Sequence, residues 1–292
     1  MEKSIFQTLS KLNLTSKETR FVFNKGTRDN ENLIVWKDKI SGIIYIDDYY
    51  IGDNTYVNGS YRDNEVDIIG KPDFELYNDA QRRLEANIQY VSGKRIFDFG
   101  CGKGQFLRLV QDHCSEIVGV ELQKNYVNSL NEDGINCVFS LKELADNSFD
   151  VCVSFHVLEH LPNPLEILSS IKKKIISGGI LILEVPHAND FLLSVAQNEP
   201  FKQFTLWSQH LVLHTRESLK CMLEYVGFED ILIKSVQRYP LSNHLNWIIK
   251  GKPGGHKSEL SSLETPYLRD AYTNSLSKIN ATDTLVAIAK VL

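Results

Sequence analysis

Two carboxylates and three glycines frame the chemistry available to this chain. Asp98, Gly100, Gly102 and Gly104 lie in the run R-I-F-D-F-G-C-G-K-G-Q-F-L from Arg95 to Leu107, and Glu121 closes a second apolar run from Ile117. An apolar run, a glycine turn and a helix start together present backbone N–H groups to a ligand. Three ligand classes compete for such a turn. A P-loop needs G-x-x-x-x-G-K-[ST], and here Lys103 is followed by Gly104. A dinucleotide turn needs G-x-G-x-x-G, and Gln105 breaks that spacing. Asp98 separates the remaining possibilities: a carboxylate there repels a pyrophosphate and suits a ligand with a positive group near the turn. Glu121 is placed to accept both hydroxyls of a ribose. The pattern asks for a ribose at one end, a cation at the other, and no phosphate.

A second set of residues suits proton transfer. Among the eight histidines, His156 and His160 flank the end of one apolar run, His187 follows the next, and His210 and His214 lie beyond it. Histidine, titrating near pH 6.5, is the natural base for a hydroxyl nucleophile. His210 and His187 are the leading candidates, with His156 third; each also has a plain alternative as a hydrogen-bonded cap. No metal is expected. The five cysteines form no C-x-x-C pair, Glu184 falls inside a strand and Asp190 stands alone.

The elements that must position these groups follow from periodicity. Strands are predicted at 95–99, 117–121, 135–139, 149–155 and 180–185, alternating with helices at about 79–91, 103–113, 124–131 and 164–175. That rhythm means βαβ units and a parallel sheet, and strands apolar on both faces agree with a sheet covered on both sides. A further helix at 217–226 and strands at 231–236 and 284–291 complete the domain. Residues 187–214 and 240–282 read as irregular insertions, with Ser177–Gly179 a turn. Short strands at 21–23, 33–36 and 42–46 precede an aromatic, Gly/Asn-rich stretch to Arg62, so residues 1–75 read as a small β-rich appendage and 76–292 as the main domain.

Four segments in order resemble class I S-adenosylmethionine-dependent methyltransferases: D-F-G-C-G-K-G at 98–104, V-G-V-E at 118–121, F-D-V-C-V-S-F-H-V-L-E-H-L at 149–161, and S-G-G-I-L-I-L-E-V-P at 177–186. The resemblance covers about Tyr77 to Leu292. It implies a Rossmann-like α/β fold, a seven-stranded mostly parallel sheet with the last strand antiparallel and helices on both faces. It also implies S-adenosylmethionine as cofactor, leaving as S-adenosylhomocysteine. On this chain Asp98 and Gly100 would hold the methionine end, and Gly102 would admit the cofactor closely, with Cys101, Gln105 and Phe106 around the loop. Glu121 would hold the ribose, Leu122 the adenine face, and Ser140 and Leu141 the adenine edge, where many members carry an acid instead. Ser154, Phe155 and His156 would lie under the methyl donor. Arg82, its neighbour Arg83 and Tyr77 would reach the cofactor carboxylate.

Composition limits the acceptor. The chain of 292 residues carries a net charge of −5, which disfavours a nucleic-acid surface. There is no apolar leader and no run long enough to span a bilayer, so a cytoplasmic protein without membrane insertion is expected. Phe201, Phe204, Trp207, Tyr239, Asn243, His244, Asn246 and Trp247 mix rings with polar groups, as a sugar site does, although a plain hydrophobic cap has the same composition. The tract from Phe204 to Leu219 resembles a region of bacterial methyltransferases of surface-polysaccharide and antibiotic pathways. The expected acceptor is therefore a hydroxyl of a sugar or nucleotide-sugar. Nitrogen or carbon methylation of another metabolite and a catalytically silent cofactor-binding module are the alternatives, and a homodimer is an allowed assembly. Relatives with an N-terminal zinc module suggest that residues 21–62 keep that module's shape, without metal, and cover the acceptor.

Overall fold

The computed structural model describes residues 4–47, 49–52 and 73–292, with side chains of the first long helix described from residue 76. Its strands are β1 (Arg20–Thr27), β2 (Asn30–Asp38), β3 (Ile44–Ile46), β4 (Arg95–Phe99), β5 (Glu116–Val120), β6 (Cys137–Val138), β7 (Phe149–Phe155), β8 (Ile175–Pro186), β9 (Val212–Leu213), β10 (Glu229–Val236) and β11 (Thr284–Lys290). Seven of them form one sheet in the order β10-β11-β8-β7-β4-β5-β6. The β8-β7-β4-β5-β6 portion is parallel, while β11 runs antiparallel to both β8 and β10. The reversed strand thus sits inside the sheet, between β10 and β8.

Period-two patterning builds this sheet. Phe97, Cys152, Leu181, Leu183, Leu285 and Ala287 pack in one core, and their chain neighbours Ile96, Val151, Val153, Ile182 and Val286 pack in another. Successive side chains point to opposite faces, so strands apolar at every position need a cover on each side. The cover comes from the helices Asp73–Val91 and Gln105–Val110, which supply Ala80, Phe106 and Val110 to one core, and Pro164–Lys174 and Arg216–Val226, which supply Leu168, Ile171, Leu219 and Met222 to the other. Each fully buried aliphatic side chain contributes roughly 1.5–3 kcal/mol.

Three segments differ from the sequence expectation. The pair Gly178–Gly179 is not a turn before the strand but a bulge within β8: pairing with β7 slips from Phe149↔Ile175 to Val151↔Ile180, and a Cβ on Gly179 would lie 2.7 Å from the Asp150 carbonyl oxygen. Residues 240–282 are largely helical, with helices Leu241–Lys250 and Pro266–Lys278. Asn243 and Asn246 look like loop residues but are buried, and they hold the 252–254 loop: Asn246 Nδ2 donates to the Lys252 and Pro253 carbonyls at 2.7 and 3.1 Å, and Gly254 N–H donates to Asn243 Oδ1 at 3.0 Å. The tract at 201–214 gives β9, which leaves the main sheet to pair with β3.

That pairing completes a second, antiparallel sheet, β1-β2-β3-β9. The three short strands expected at 21–46 are present in it. Ile5, Leu9, Leu12, Leu14, Ile43 and Tyr45 share the core that lies under Leu183, Leu211 and Leu219. The N-terminal strands therefore pack into the same apolar body as the large sheet. The expected aromatic segment at 49–62 lies, beyond residue 52, outside the described residues. No described helix is long and apolar enough to cross a membrane.

Candidate functional site

A cavity of about 1470 Å³ opens over the C-terminal ends of β4, β5, β7 and β8, lined there by Phe99, Gly100, Glu121, Phe155, His156 and Pro186. Ligands bind at this edge in open α/β sheets. The glycine turn closes onto Glu121, whose Oε2 accepts the Gly102 N–H at 2.8 Å and whose Oε1 accepts the Gln123 N–H at 2.9 Å. Each carboxylate oxygen has a second lone pair, so Glu121 keeps acceptor capacity for a diol. Gly100 has φ +77°, and a Cβ there would run into the Val157 side chain, so the turn requires glycine at this position.

The structure spreads the expected cofactor residues over two shells. Gly100, Gly102, Glu121, Leu122, Ser140, Leu141, Phe155 and His156 line the cavity. Asp98 lies behind this lining at 3 % exposure; burial, opposed in part by Arg83, pushes its carboxyl up to about 7. Cys101 lies outside the lining, its Sγ 3.9 Å from Cys137 Sγ. Phe106 packs edge-on against Phe155 at 5.0 Å, and Ser154 Oγ donates to the Phe99 carbonyl at 2.9 Å. Gln105 and Tyr77 lie outside the lining, Tyr77 at 48 % exposure on the first long helix.

Arg82 and Arg83 belong to an ion network rather than standing open for a ligand carboxylate. Arg82 Nη2 donates to both oxygens of Glu184 at 2.9 Å, and Arg83 donates to Glu184 Oε1 through Nε at 3.0 Å and Nη2 at 2.7 Å. Burial raises the Glu184 carboxyl, but Arg83, His156 and Arg82 overcome this and hold it well below the usual carboxylate range. Arg238 pairs with Asp79, whose carboxyl is likewise held low against its burial. Arg83, Asp79 and Arg238 reach the cavity surface. His156 joins the two halves: Nε2 lies 3.1 Å from Arg238 Nη1 and 3.2 Å from Glu184 Oε1, and Nδ1 lies 3.2 Å from Glu159 Oε1. Neutral, its Nε2 accepts from Arg238; protonated, it donates to Glu184. It holds this position at φ +56°, an unusual backbone state for a non-glycine residue.

The other half of the cavity is walled by Phe201, Phe204, Trp207 and Tyr239, with Asn243, His244, Asp190 and Asp283 among them. Arg28 stacks over Trp207 with its guanidinium carbon 4.5 Å from the ring centre, its N–H donates to the Leu206 carbonyl at 2.8 Å, and Asp29 accepts the Ser208 N–H at 3.0 Å. The β1–β2 turn thereby fixes the tract that carries the aromatic wall.

Of the three candidate bases, the structure brings two to the cavity. His210 lines it, and burial lowers its imidazole to about 3, keeping it neutral and weakly basic. His156 lines it with both nitrogens engaged. His187 does not: it is 1 % exposed, donates Nδ1–H to the Thr282 carbonyl at 2.8 Å, and burial lowers it to about 4. It sits one residue past the end of β8 and turns inward there, which strand counting does not show. His244 was not singled out as a base, yet it lines the cavity with Nδ1 2.7 Å from the Tyr272 hydroxyl. Asp190 also faces the cavity; burial, and then Asp283, raises its carboxyl to about 8.

The fold also gathers Glu159, His160 and His210, one ligand-type atom from each lying within 4.8 Å of the others. The expectation of no metal rests on carboxylates after the strands; this group draws its imidazoles from two distant segments. Glu159 is fully buried. Its carboxyl, raised by burial but lowered more by the His156 hydrogen bond and nearby imidazoles, comes to about 2. The L-E-H triplet signals the first two members, and nothing local signals the third.

A sequence model of a family described as "Methyltransferase domain" matches residues 76–233. The chain is 27% identical over 169 residues to a tRNA U34 carboxymethyltransferase of Pseudoalteromonas translucida, covering 52% of this chain and 50% of that protein. It is 25% identical over 175 residues to a ubiquinone biosynthesis O-methyltransferase of Idiomarina loihiensis, covering 54% and 71% respectively. The chain spans about half the length of the first of these relatives. A solved SAM-dependent methyltransferase from Archaeoglobus fulgidus shares the fold, with TM-score 0.52 and 24% identity over 73% of this chain and 94% of that one.

Proposed function

Because the chain belongs to the methyltransferase domain family, we propose that it moves a methyl group from S-adenosylmethionine to a hydroxyl of a small acceptor, a sugar or nucleotide-sugar. The observation that carries this reading is the continuity of one cavity, from the Gly100–Glu121 turn to the wall of Phe204, Trp207 and Tyr239. Glu121, already gripping the turn, takes the ribose. Asp98, behind Phe99 and Gly100, supplies negative charge toward the ammonium. Leu122, Ser140 and Leu141 take the adenine. Arg83 and Arg238, both at the cavity surface, keep their pairs with Glu184 and Asp79 and offer the cofactor carboxylate their remaining N–H donors.

The transfer is an in-line displacement. A lone pair of the acceptor oxygen forms the new C–O bond as the C–S bond breaks, S-adenosylhomocysteine leaves as a neutral thioether, and the hydroxyl proton departs to a base or to solvent. Little covalent chemistry falls to the protein, whose main contribution is position. His210 faces the acceptor as a neutral acceptor of its hydroxyl proton, with His156 beside it holding the charge network in register. A sugar presents an apolar face to the Phe204 and Trp207 rings and its hydroxyls to Asn243, His244 and Asp190. A phenolic or quinol hydroxyl is the second reading, supported by the same aromatic wall and by the relative named for ubiquinone biosynthesis.

A panel of nucleotide-sugars, free sugars, phenols and tRNA, each incubated with the protein and S-adenosylmethionine and read by mass spectrometry, tests the proposal. A methyl mass gain on a sugar-containing acceptor is expected. A gain confined to phenols or to tRNA overturns the sugar acceptor, and no S-adenosylhomocysteine from any acceptor favours a silent binding module.

A further inference from the structure

We propose that Glu159, His160 and His210 form a binding site for a divalent transition-metal cation at the acceptor end of the cavity. Glu159 and His160 come from the turn after β7, and His210 from the tract that leads into β9. All three line the cavity. Glu159 Oε1 is 3.2 Å from His156 Nδ1, whereas Glu159 Oε2 is buried and has no hydrogen-bond partner among the described residues. An ionised carboxylate oxygen in that position is costly unless something positive meets it. Nδ1 of His210 is likewise buried with no hydrogen-bond partner among the described residues.

The imidazole of His160 carries the outer contact that metal-ligating histidines show. Its Nδ1 lies 2.9 Å from the Gln209 carbonyl oxygen, which can only accept, so Nδ1 holds the proton and the lone pair resides on Nε2. The Gln209 carbonyl belongs to the residue before His210, so one backbone segment orients one imidazole and supplies the other. The Leu211 N–H in turn donates to the Glu159 carbonyl at 2.8 Å, tying the two segments together. Bonds of roughly 2.1 Å to a tetrahedral cation set donor atoms about 3.4 Å apart, so donors within 4.8 Å of one another need to close by at most about 1.4 Å.

One carboxylate and two neutral imidazoles form a borderline donor set. It suits zinc or cobalt(II) better than magnesium or calcium, which prefer all-oxygen shells. Three protein ligands leave at least one coordination position, and the cavity is where it opens. An acceptor hydroxyl bound there would become more acidic, lose its proton to solvent and attack as an alkoxide. This role rests on the methyl-transfer reading and answers the weakness of His210 as a base; the binding of the cation does not rest on it.

The test uses untagged full-length protein stripped of metal by chelation, titrated with cobalt(II) alone and followed by visible absorption, with zinc(II) by calorimetry. One saturable site is expected, with ligand-field bands of a four- or five-coordinate N/O environment. Glu159→Gln and His210→Asn should each weaken the cation by roughly 100-fold or more, beyond what loss of an outer contact produces, while His113→Asn, at an exposed position, leaves it unchanged. S-adenosylmethionine affinity, measured on the same samples, reports that the fold and cofactor half survive. If Glu159→Gln does not fold, His210→Asn and the wild-type spectrum still decide. Absence of saturable binding to the wild type, or equal affinity in His210→Asn with the cofactor half intact, overturns the proposal. Either result leaves the acceptor screen untouched, so the two ideas fail separately.

Discussion

At the scale of the residue, Asp98 sets a pH dependence whose sign is fixed. With a carboxyl near 7 in the free protein, Asp98 is largely protonated at pH 6. A ligand ammonium nearby favours the ionised form, so cofactor binding expels that proton. Affinity should therefore fall as pH drops below 7, by at most about tenfold per pH unit, and level off above 8. Calorimetry in buffers of different ionisation enthalpy should find a proton released at pH 6, and Asp98→Asn should flatten the profile. Glu121→Ala removes two charge-assisted bonds, to Gly102 and Gln123. It should weaken the cofactor by about 1.5–3 kcal/mol, read as its dissociation constant. These two acids are legible in the sequence because each sits within a few residues of a glycine or a strand end that fixes its direction. His210 and Glu159 are not legible as a pair, because the contact joins the turn after β7 to the tract before β9 and leaves no local spacing.

Among the elements, the network on Glu184 links β8 to the first long helix through Arg82 and Arg83. Glu184→Ala leaves two guanidinium groups without their shared carboxylate at a site where Glu184 itself is 1 % exposed. Removal of one member of such a pair costs about 3–5 kcal/mol; the lower end applies here because the arginines are partly exposed, and denaturant titration checks it. Gly100→Ala should destabilise the turn and abolish cofactor binding together, since a methyl group there meets Val157 and requires φ +77°. The strands of the large sheet were readable because unbroken apolar runs such as Phe149–Phe155 have one physical outlet, a sheet covered on both faces. Helices with polar inward faces are not: the helix Leu241–Lys250 buries Asn243 and Asn246 against its own following loop and His244 against Phe191 and Tyr272. The glycines at 178–179 looked like a turn because a bulge and a turn ask for the same residue.

In the molecule as a whole, the N-terminal sheet reaches the aromatic wall of the cavity through a few contacts. Asp29 receives the N–H and hydroxyl of Ser208, and Arg28 stacks on Trp207. Asp29→Ala should loosen the tract that carries the aromatic wall, raising the acceptor KM several-fold while leaving cofactor affinity within twofold, as expected of an effect confined to one end of the cavity. The division at residue 75 is thus proposed as a division of labour, with the described N-terminal strands bracing the tract at 201–214 and residues 76–292 holding the cofactor and supplying the aromatic wall. The recruitment of β9 into the first sheet could not be read from two apolar residues, since only the finished fold shows which edge they meet. The central claim, that the Gly100–Glu121 turn holds S-adenosylmethionine, is tested most directly by calorimetric titration of that ligand into the wild type and Glu121→Ala. Saturable one-to-one binding that is weakened at least tenfold by the substitution is the predicted result. No binding to the wild type, or equal binding to both proteins, would contradict it.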